Sequence, residues 1–300
     1  MTIPFVRKFE PQHGTAVAVS SRIRRVVAAN PGPFTYTGTG TYIVGRGRVA
    51  VIDPGPPCPR HLAALEAALR GERVVAVLVT HAHFDHSPLA HPLAERFGAR
   101  VHAGGRGTRT DSDVRLEAGD DASFVPDVVI GDDWRCGGEG WTLRAIETPG
   151  HTATHLCFWL EEERALLSGD HVMGWSTSVV SPPDGRMGDY LASLVKVRRM
   201  APRAIYPAHG PAIEEDVDGF LRAYIAHREE RERQVLDAIA EGCGSVIEIV
   251  RRVYAALDRH LLPAAAHSVL SHVIHLRERG LLGCEDEAPH MRSRLSRPEG

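Results

Sequence analysis

Lysine is almost missing from this 300-residue sequence: Lys8 and Lys196 are the only two, and arginine carries nearly all the positive charge. A catalytic or Schiff-base lysine is therefore excluded at every other position. A basic excess is missing as well. The 35 Lys and Arg against 38 Asp and Glu leave a formal charge of −3, with a pI near 6.6, and so no global attraction to nucleic acid or an anionic membrane. The five cysteines (Cys58, Cys136, Cys157, Cys243, Cys284) are odd in number, scattered, and never spaced C-x-x-C. Neither a disulfide framework nor a structural zinc knuckle is expected. No stretch approaches the ~20 apolar residues of a membrane span, and the first eight residues contain no apolar signal core. The expected setting is soluble, reducing and cytoplasmic. Gly38-Thr39-Gly40-Thr41 lacks the lysine of a P-loop and opens no helix, so nucleotide binding is not expected.

What is present is ordinary globular material, 43% apolar, long enough for one large domain and a small appendage. Gly47–Ile52 reads as a strand stopped by Asp53-Pro54-Gly55. Pro59–Arg70 repeats leucine at Leu62, Leu65 and Leu69, the spacing of a helix opened by proline. Val74–Val79 is an unbroken β-branched run, read as a buried strand. A helix is expected from Pro88 to about Phe97, strands at His155–Leu160, Ala165–Leu167 and Ala204–Tyr206, and a helix from Asp189, as N-cap, to about Met200. Strands mixed with helices, without strict alternation, imply sheets packed face to face with helices outside. From about Asp216 the pattern turns helical. Phe220, Leu221, Tyr224 and Ile225 form a stripe, and His227–Arg233 reads as too polar to face a core. Helices at about Glu229–Glu241, Val246–Leu257 and Ala264–Arg279 follow, and then a polar tail expected to be mobile.

The chemistry concentrates in His81-Ala82-His83-Phe84-Asp85-His86, directly after a strand. Four potential ligands in six residues exceed what one tetrahedral ion takes from a single segment, which points to two ions. Further candidates stand at later turns: His151 in Thr148-Pro149-Gly150-His151, Asp170 in Ser168-Gly169-Asp170, and His209 in Pro207-Ala208-His209-Gly210. Imidazole with carboxylate suits zinc, with iron or manganese as alternatives.

The H-x-H-x-D-H cluster followed by P-G-H, G-D and A-H-G resembles the metallo-β-lactamase superfamily over roughly residues 15–215. Gly38-Thr39-Gly40-Thr41-Tyr42 matches an early strand of that family. The resemblance implies an α+β fold, a four-layer αββα sandwich. It implies that His81, His83 and His151 hold a first metal, that Asp85, His86 and His209 hold a second, and that Asp170 bridges them, with Asp85 and Asp170 serving catalysis. Asp53 resembles the family's buried aspartate that supports the ligand loop from behind. Asn30-Pro31-Gly32-Pro33-Phe34-Thr35 and the C-terminal helices resemble the LACTB2-like branch, which carries a small winged-helix-like domain. The resulting division is 1–225 catalytic, 226–285 winged-helix-like and 286–300 tail.

His155 and His171, beside His151 and Asp170, are expected to be structural or supporting rather than ligands. His91, His102, His227, His260, His267, His272, His275 and His290 are expected at the surface or in packing. Thr80 and Ser87 are expected to hydrogen-bond the ligand loop, and Trp175 to line the substrate pocket. Residues 227–300 hold 11 Arg and 12 Asp or Glu, a formal balance of −1, where a phosphate-tracking surface needs a basic stripe. The expected activity is hydrolysis of an ester, thioester or lactone-type acyl bond of a small molecule by a metal-bound hydroxide. Cleavage of single-stranded RNA, known for some members of the LACTB2-like branch, is the alternative, and a non-catalytic binding module is the third reading.

Overall fold

The computed structural model describes residues 2–105 and 119–298. The first sheet takes its strands in chain order: β1 (Val17–Ala18), β2 (Ile23–Val27), β3 (Gly40–Arg46), β4 (Arg48–Ile52), β5 (Arg73–Leu78), β6 (Val101–Ala103) and β7 (Val128–Val129). Neighbours are antiparallel up to β4 and parallel beyond it. The connections explain the change. Gly47 alone turns β3 into β4, whereas α1 (Pro59–Ala68) and α2 (Ala90–Phe97) carry the chain back across the sheet before β5 and β6. The second sheet comprises β8 (Arg135–Gly138), β9 (Trp141–Glu147), β10 (Leu156–Leu160), β11 (Ala165–Gly169) and β12 (Ala204–Pro207). Only its β11–β12 pair is parallel, joined through α3 (Met187–Arg199).

Period-two alternation sorts the strand residues between layers. Tyr42, Val44, Ala50 and Ile52 of the first sheet meet Leu143, Ala145, Phe158 and Leu167 of the second in the central core. The alternate residues Ile43, Val49 and Val51 pack on Leu65 of α1, Leu69 just after it and Leu93 of α2. On the other flank, Cys157, Trp159 and Leu166 pack on Tyr190 and Leu194 of α3 and on Phe220 and Tyr224 of α4 (Val217–Ala240). Helix, sheet, sheet and helix are the four layers read from the sequence. A separate core, with Val235, Ile249, Val250, Val269 and Leu276, joins the end of α4 to α5 (Val246–Val253) and α6 (Leu262–Glu278). A short 3-10 turn, Arg259–Leu261, leads into α6. Among the described residues no helix is long and apolar enough to cross a membrane.

Three details differ from the sequence reading. Helix α3 starts at Met187, so Asp189 lies in its first turn, and Arg186 takes the cap position without a side-chain cap. Helix α4 is continuous through residue 225, and the run His227–Arg233 is not wholly solvated: Arg228 is 2% and Glu232 6% exposed. Glu232 is met from α6 by His275 Nδ1 at 2.6 Å, and paired with Arg279 just beyond that helix at 2.9 Å. Burial would raise its pKa, but His272 and His275 hold it down at about 2. The tail also folds back. β14 (Leu295–Ser296) pairs with β13 (Gly283–Cys284) and buries Leu295; its last two residues lie outside the described ones.

Candidate metal centre

The candidate ligands gather where loops leave the ends of β5, β9, β11 and β12. Asp53, directly after β4, has φ +49, a left-handed conformation that Asp tolerates better than most residues. It is 2% exposed. Its Oδ1 accepts from Thr80 N at 2.8 Å, and its Oδ2 accepts from Thr80 Oγ1 at 2.8 Å and from His86 Nδ1 at 3.0 Å. The carboxylate thus ties the start of the candidate ligand loop to His86. Ser87 also serves that loop, donating to Asp121 Oδ2 at 3.1 Å.

The outward hydrogen bonds assign the tautomers. His86 Nδ1–H donates to Asp53. The Thr80 hydroxyl spends its proton on Asp53, so it accepts from His81 Nδ1–H at 3.0 Å. His151 Nδ1–H donates to the Val179 carbonyl at 2.7 Å, and His209 Nδ1–H reaches the Gly38 carbonyl more weakly, at 3.4 Å. Each of these four rings therefore turns its Nε2 inward. His83 is reversed: its Nε2 lies 3.6 Å from Asp120 Oδ1, and Nδ1 faces the centre.

The inward atoms form two groups. In the first, His81 Nε2 and His83 Nδ1 are 2.9 Å apart, with His151 Nε2 3.3 Å from each. Lone pairs facing one another repel unless a cation lies between them. Nitrogens bound at about 2.0–2.1 Å around a tetrahedral ion stand about 3.3 Å apart, so the spacing suits a small divalent metal. In the second, His209 Nε2 is 3.2 Å from Asp85 Oδ2, and His86 Nε2 is 3.6 Å from Asp85 Oδ1. Asp170 lies between the groups. Its Oδ1 is 3.3 Å from His209 Nε2, and its Oδ2 is 3.6 Å from His86 Nε2 and 3.9 Å from His151 Nε2. Two buried atoms at this junction, His86 Nε2 and Asp170 Oδ1, have no hydrogen-bond partner. That is the signature of groups that need a cation rather than a neighbour.

The electrostatics agree. Burial pushes the His81 pKa well below its usual value and that of His83 to about 3, which keeps both rings neutral, as ligands must be. Burial also opposes charge on His209, but Asp170 and Asp85 outweigh it and lift its pKa to about 10. Burial would raise Asp85, yet His86 and His209 bring it to about 2. The second group is a carboxylate-rich pocket that draws positive charge.

Backbone geometry explains two glycines in the ligand turns. Gly150 has φ +137, and a Cβ there would stand 2.3 Å from Tyr190 Cα. Gly169 has φ +51 with Thr80 Oγ1 2.7 Å from where its Cβ would be. A register shift between Leu167 and Gly169 then re-aims the chain into Asp170.

His155 stands behind the candidate ligands, Nδ1 on Thr148 Oγ1 at 2.9 Å and Nε2 accepting from Asp170 N at 3.3 Å. His171 is fully buried edge-on to Tyr190. Both keep supporting places. Of the histidines expected at the surface or in packing, His272 is buried, and with His275 it faces Glu232. Trp175 stacks on Tyr36 with centroids 4.7 Å apart, and both rings crowd Gly210, next to His209. Asp120 was missed from sequence, since only the fold brings it to His83.

A sequence model described as the metallo-beta-lactamase superfamily matches residues 36–209, and one described as the beta-lactamase associated winged helix domain matches residues 245–287. The chain is 33% identical over 277 residues to a beta-lactamase-like protein 2 homolog of Drosophila melanogaster, covering 88% of this chain and 90% of that protein. The corresponding Caenorhabditis elegans homolog is 32% identical over 242 residues, covering 79% and 78%. A crystal structure of a beta-lactamase domain protein from Burkholderia ambifaria superposes with a TM-score of 0.80 at 24% identity, over 99% of this chain and 97% of that one. The chain therefore belongs to the metallo-beta-lactamase superfamily of metal-dependent hydrolases and carries that family's associated C-terminal winged helix domain.

Proposed function

We propose that the chain is a two-zinc hydrolase of ester, thioester or lactone-type acyl bonds. His81, His83 and His151 hold one ion, Asp85, His86 and His209 the other, and Asp170 is shared. The observation that carries this is the pair of inward-facing donor groups meeting at Asp170, with His86 Nε2 and Asp170 Oδ1 buried and without a hydrogen bond. Bound there, two divalent ions would supply Lewis acidity towards a carbonyl oxygen and would lower the pKa of a bound water towards about 7. The chain's own residues do the rest. Asp170 orients across both positions, and Asp53, Thr80 and the Val179 carbonyl fix the ring tautomers. Asp85, whose side chain is 10% exposed against 6% for Asp170, is the more accessible of the two carboxylates in the donor groups, and we assign to it the proton released on attack.

The acyl reading draws on the C-terminal domain. Its third helix, α6, spends one stripe on its own core through Val269, Val273 and Leu276. The opposite stripe meets the catalytic layers: His267 bonds Ser181, His275 crowds Gly188, and Glu278 pairs with Arg186. A winged-helix third helix covered on both sides has no free face for a nucleic-acid groove. Phe84, 44% exposed within the ligand loop, and the Trp175–Tyr36 stack give apolar surface beside the centre. That same stack favours the second reading, single-stranded RNA, because aromatic faces also stack bases.

Parallel assays on ester, thioester and lactone panels and on single-stranded RNA decide between them. Acyl turnover at least 100-fold above RNA cleavage is expected, and the reverse ratio contradicts the proposal. With the best acyl substrate, Trp175→Ala raises KM about 10-fold with a smaller change in kcat, as loss of apolar contact predicts. An unchanged KM removes Trp175 from the pocket.

A further inference from the structure

Arg228 lies in the middle of α4 and is 2% exposed. Among the described residues no carboxylate lies within 4.0 Å of it. A buried guanidinium without a counter-charge is costly, so its remaining contacts must hold it in place. There are two. Its Nη2 donates to the Ser178 carbonyl, and its plane lies over the Tyr190 ring, 5.1 Å from the centroid.

Ser178 is tied on its other sides as well. Its N–H donates to Tyr224 Oη at 2.9 Å, one turn before Arg228 on the same helix, and its Oγ donates to the His171 carbonyl at 3.0 Å. Tyr190 Oη, beneath Arg228, donates to that carbonyl too, at 2.7 Å. Three residues further on, Ser181 Oγ meets His267 Nδ1 of α6 at 2.9 Å. The short segment 178–181 is therefore gripped by α4 and α6. Inside it lies the Val179 carbonyl, the acceptor for His151 Nδ1–H at 2.7 Å. A carbonyl only accepts, so this bond alone obliges His151 to carry its proton on Nδ1 and to present Nε2 towards the centre.

We propose that Arg228 is a positioning residue for His151. By clamping Ser178 it sets the Val179 carbonyl, which fixes the ring orientation and tautomer of His151. The C-terminal helices thereby become part of the support of the first metal position. The metal side of this inference rests on His151 being a ligand, as proposed above; the tautomer side does not.

The test separates the two. Long-range 1H–15N spectra of metal-free protein at about pH 8, above the imidazole range, read the His151 tautomer directly. Wild type shows the Nδ1–H form alone. Arg228→Met keeps the apolar stem, removes the donors and yields a mixture of forms, and Arg228→Lys falls between. In chelator competition, Arg228→Met weakens the first zinc about 10-fold or more and leaves the second within about 2-fold. Should Arg228→Met not fold, Tyr224→Phe removes the acceptor of Ser178 N, together with the bond to the Ser176 carbonyl, and shifts the same signals. Folded variants that keep a single Nδ1–H form and wild-type zinc affinity overturn the proposal. Wild type that binds no zinc, while Arg228→Met still mixes tautomers, overturns the metal reading instead and leaves the clamp standing.

Discussion

The Asp85→Ala, His86→Ala double variant loses about 10³-fold or more in kcat/KM, some 4 kcal/mol of transition-state stabilisation. It removes two of the four side chains around the second position and leaves His209 and Asp170, too few for tight binding. The first group, His81, His83 and His151, keeps its 2.9–3.3 Å spacing, so the variant retains about one equivalent of metal. Both replaced residues are buried beside Asp170, and the variant's melting curve is recorded alongside its rates to separate lost chemistry from lost fold. A folded double variant with full activity would refute the two-metal reading.

Asp53 carries the second large effect, although it touches no substrate. Asp53→Ala strands three buried donors, Thr80 N, Thr80 Oγ1 and His86 Nδ1. It also places alanine at φ +49, where the short polar side chain of Asp has the advantage. The combined expectation is a loss of about 3–5 kcal/mol in chemical denaturation. Asp53→Asn is the sharper probe. Its single carbonyl oxygen still accepts from Thr80 N, but its amide NH₂ faces His86 Nδ1. His86 must then carry its proton on Nε2, the atom turned to the metal position. The variant folds and binds the second metal about 10–100-fold more weakly, as read by chelator competition. Wild-type affinity in Asp53→Asn would show that Asp53 does not set the His86 tautomer.

These two cases mark what the sequence made legible. Ligand chemistry is written in short motifs: His81 to His86, His151 after Pro149-Gly150, Asp170 after Gly169, and His209 after Pro207-Ala208. His81 to His86, Asp170 and His209 each follow a strand readable from its own residues, whereas His151 follows β9, which the sequence did not announce; the structure brings all of them to one junction. Asp53 was readable for the same reason. Partners that arrive from far along the chain were not. Arg228 and Glu232 sit in a run of seven residues that are mostly charged, and nothing local says that Ser178, 50 residues back, or His275, 43 residues on, will bury them. Asp120 reaches His83 through a bridge between loops. The Val179 and Gly38 acceptors are backbone atoms, which carry no residue-type signal at all. The same limit applies to the tail: its polarity suggested mobility, while the pairing of Leu295 and Ser296 with β13 and the burial of Leu295 decide otherwise.

The central claim is that seven side chains from the ends of two sheets hold two ions around Asp170. Elemental analysis of the purified protein, paired with its activity before and after chelation, tests it most directly. The account predicts about two zinc per chain, activity lost on removal of the metal and restored by adding zinc back. Fully active protein with one metal or fewer per chain would contradict it.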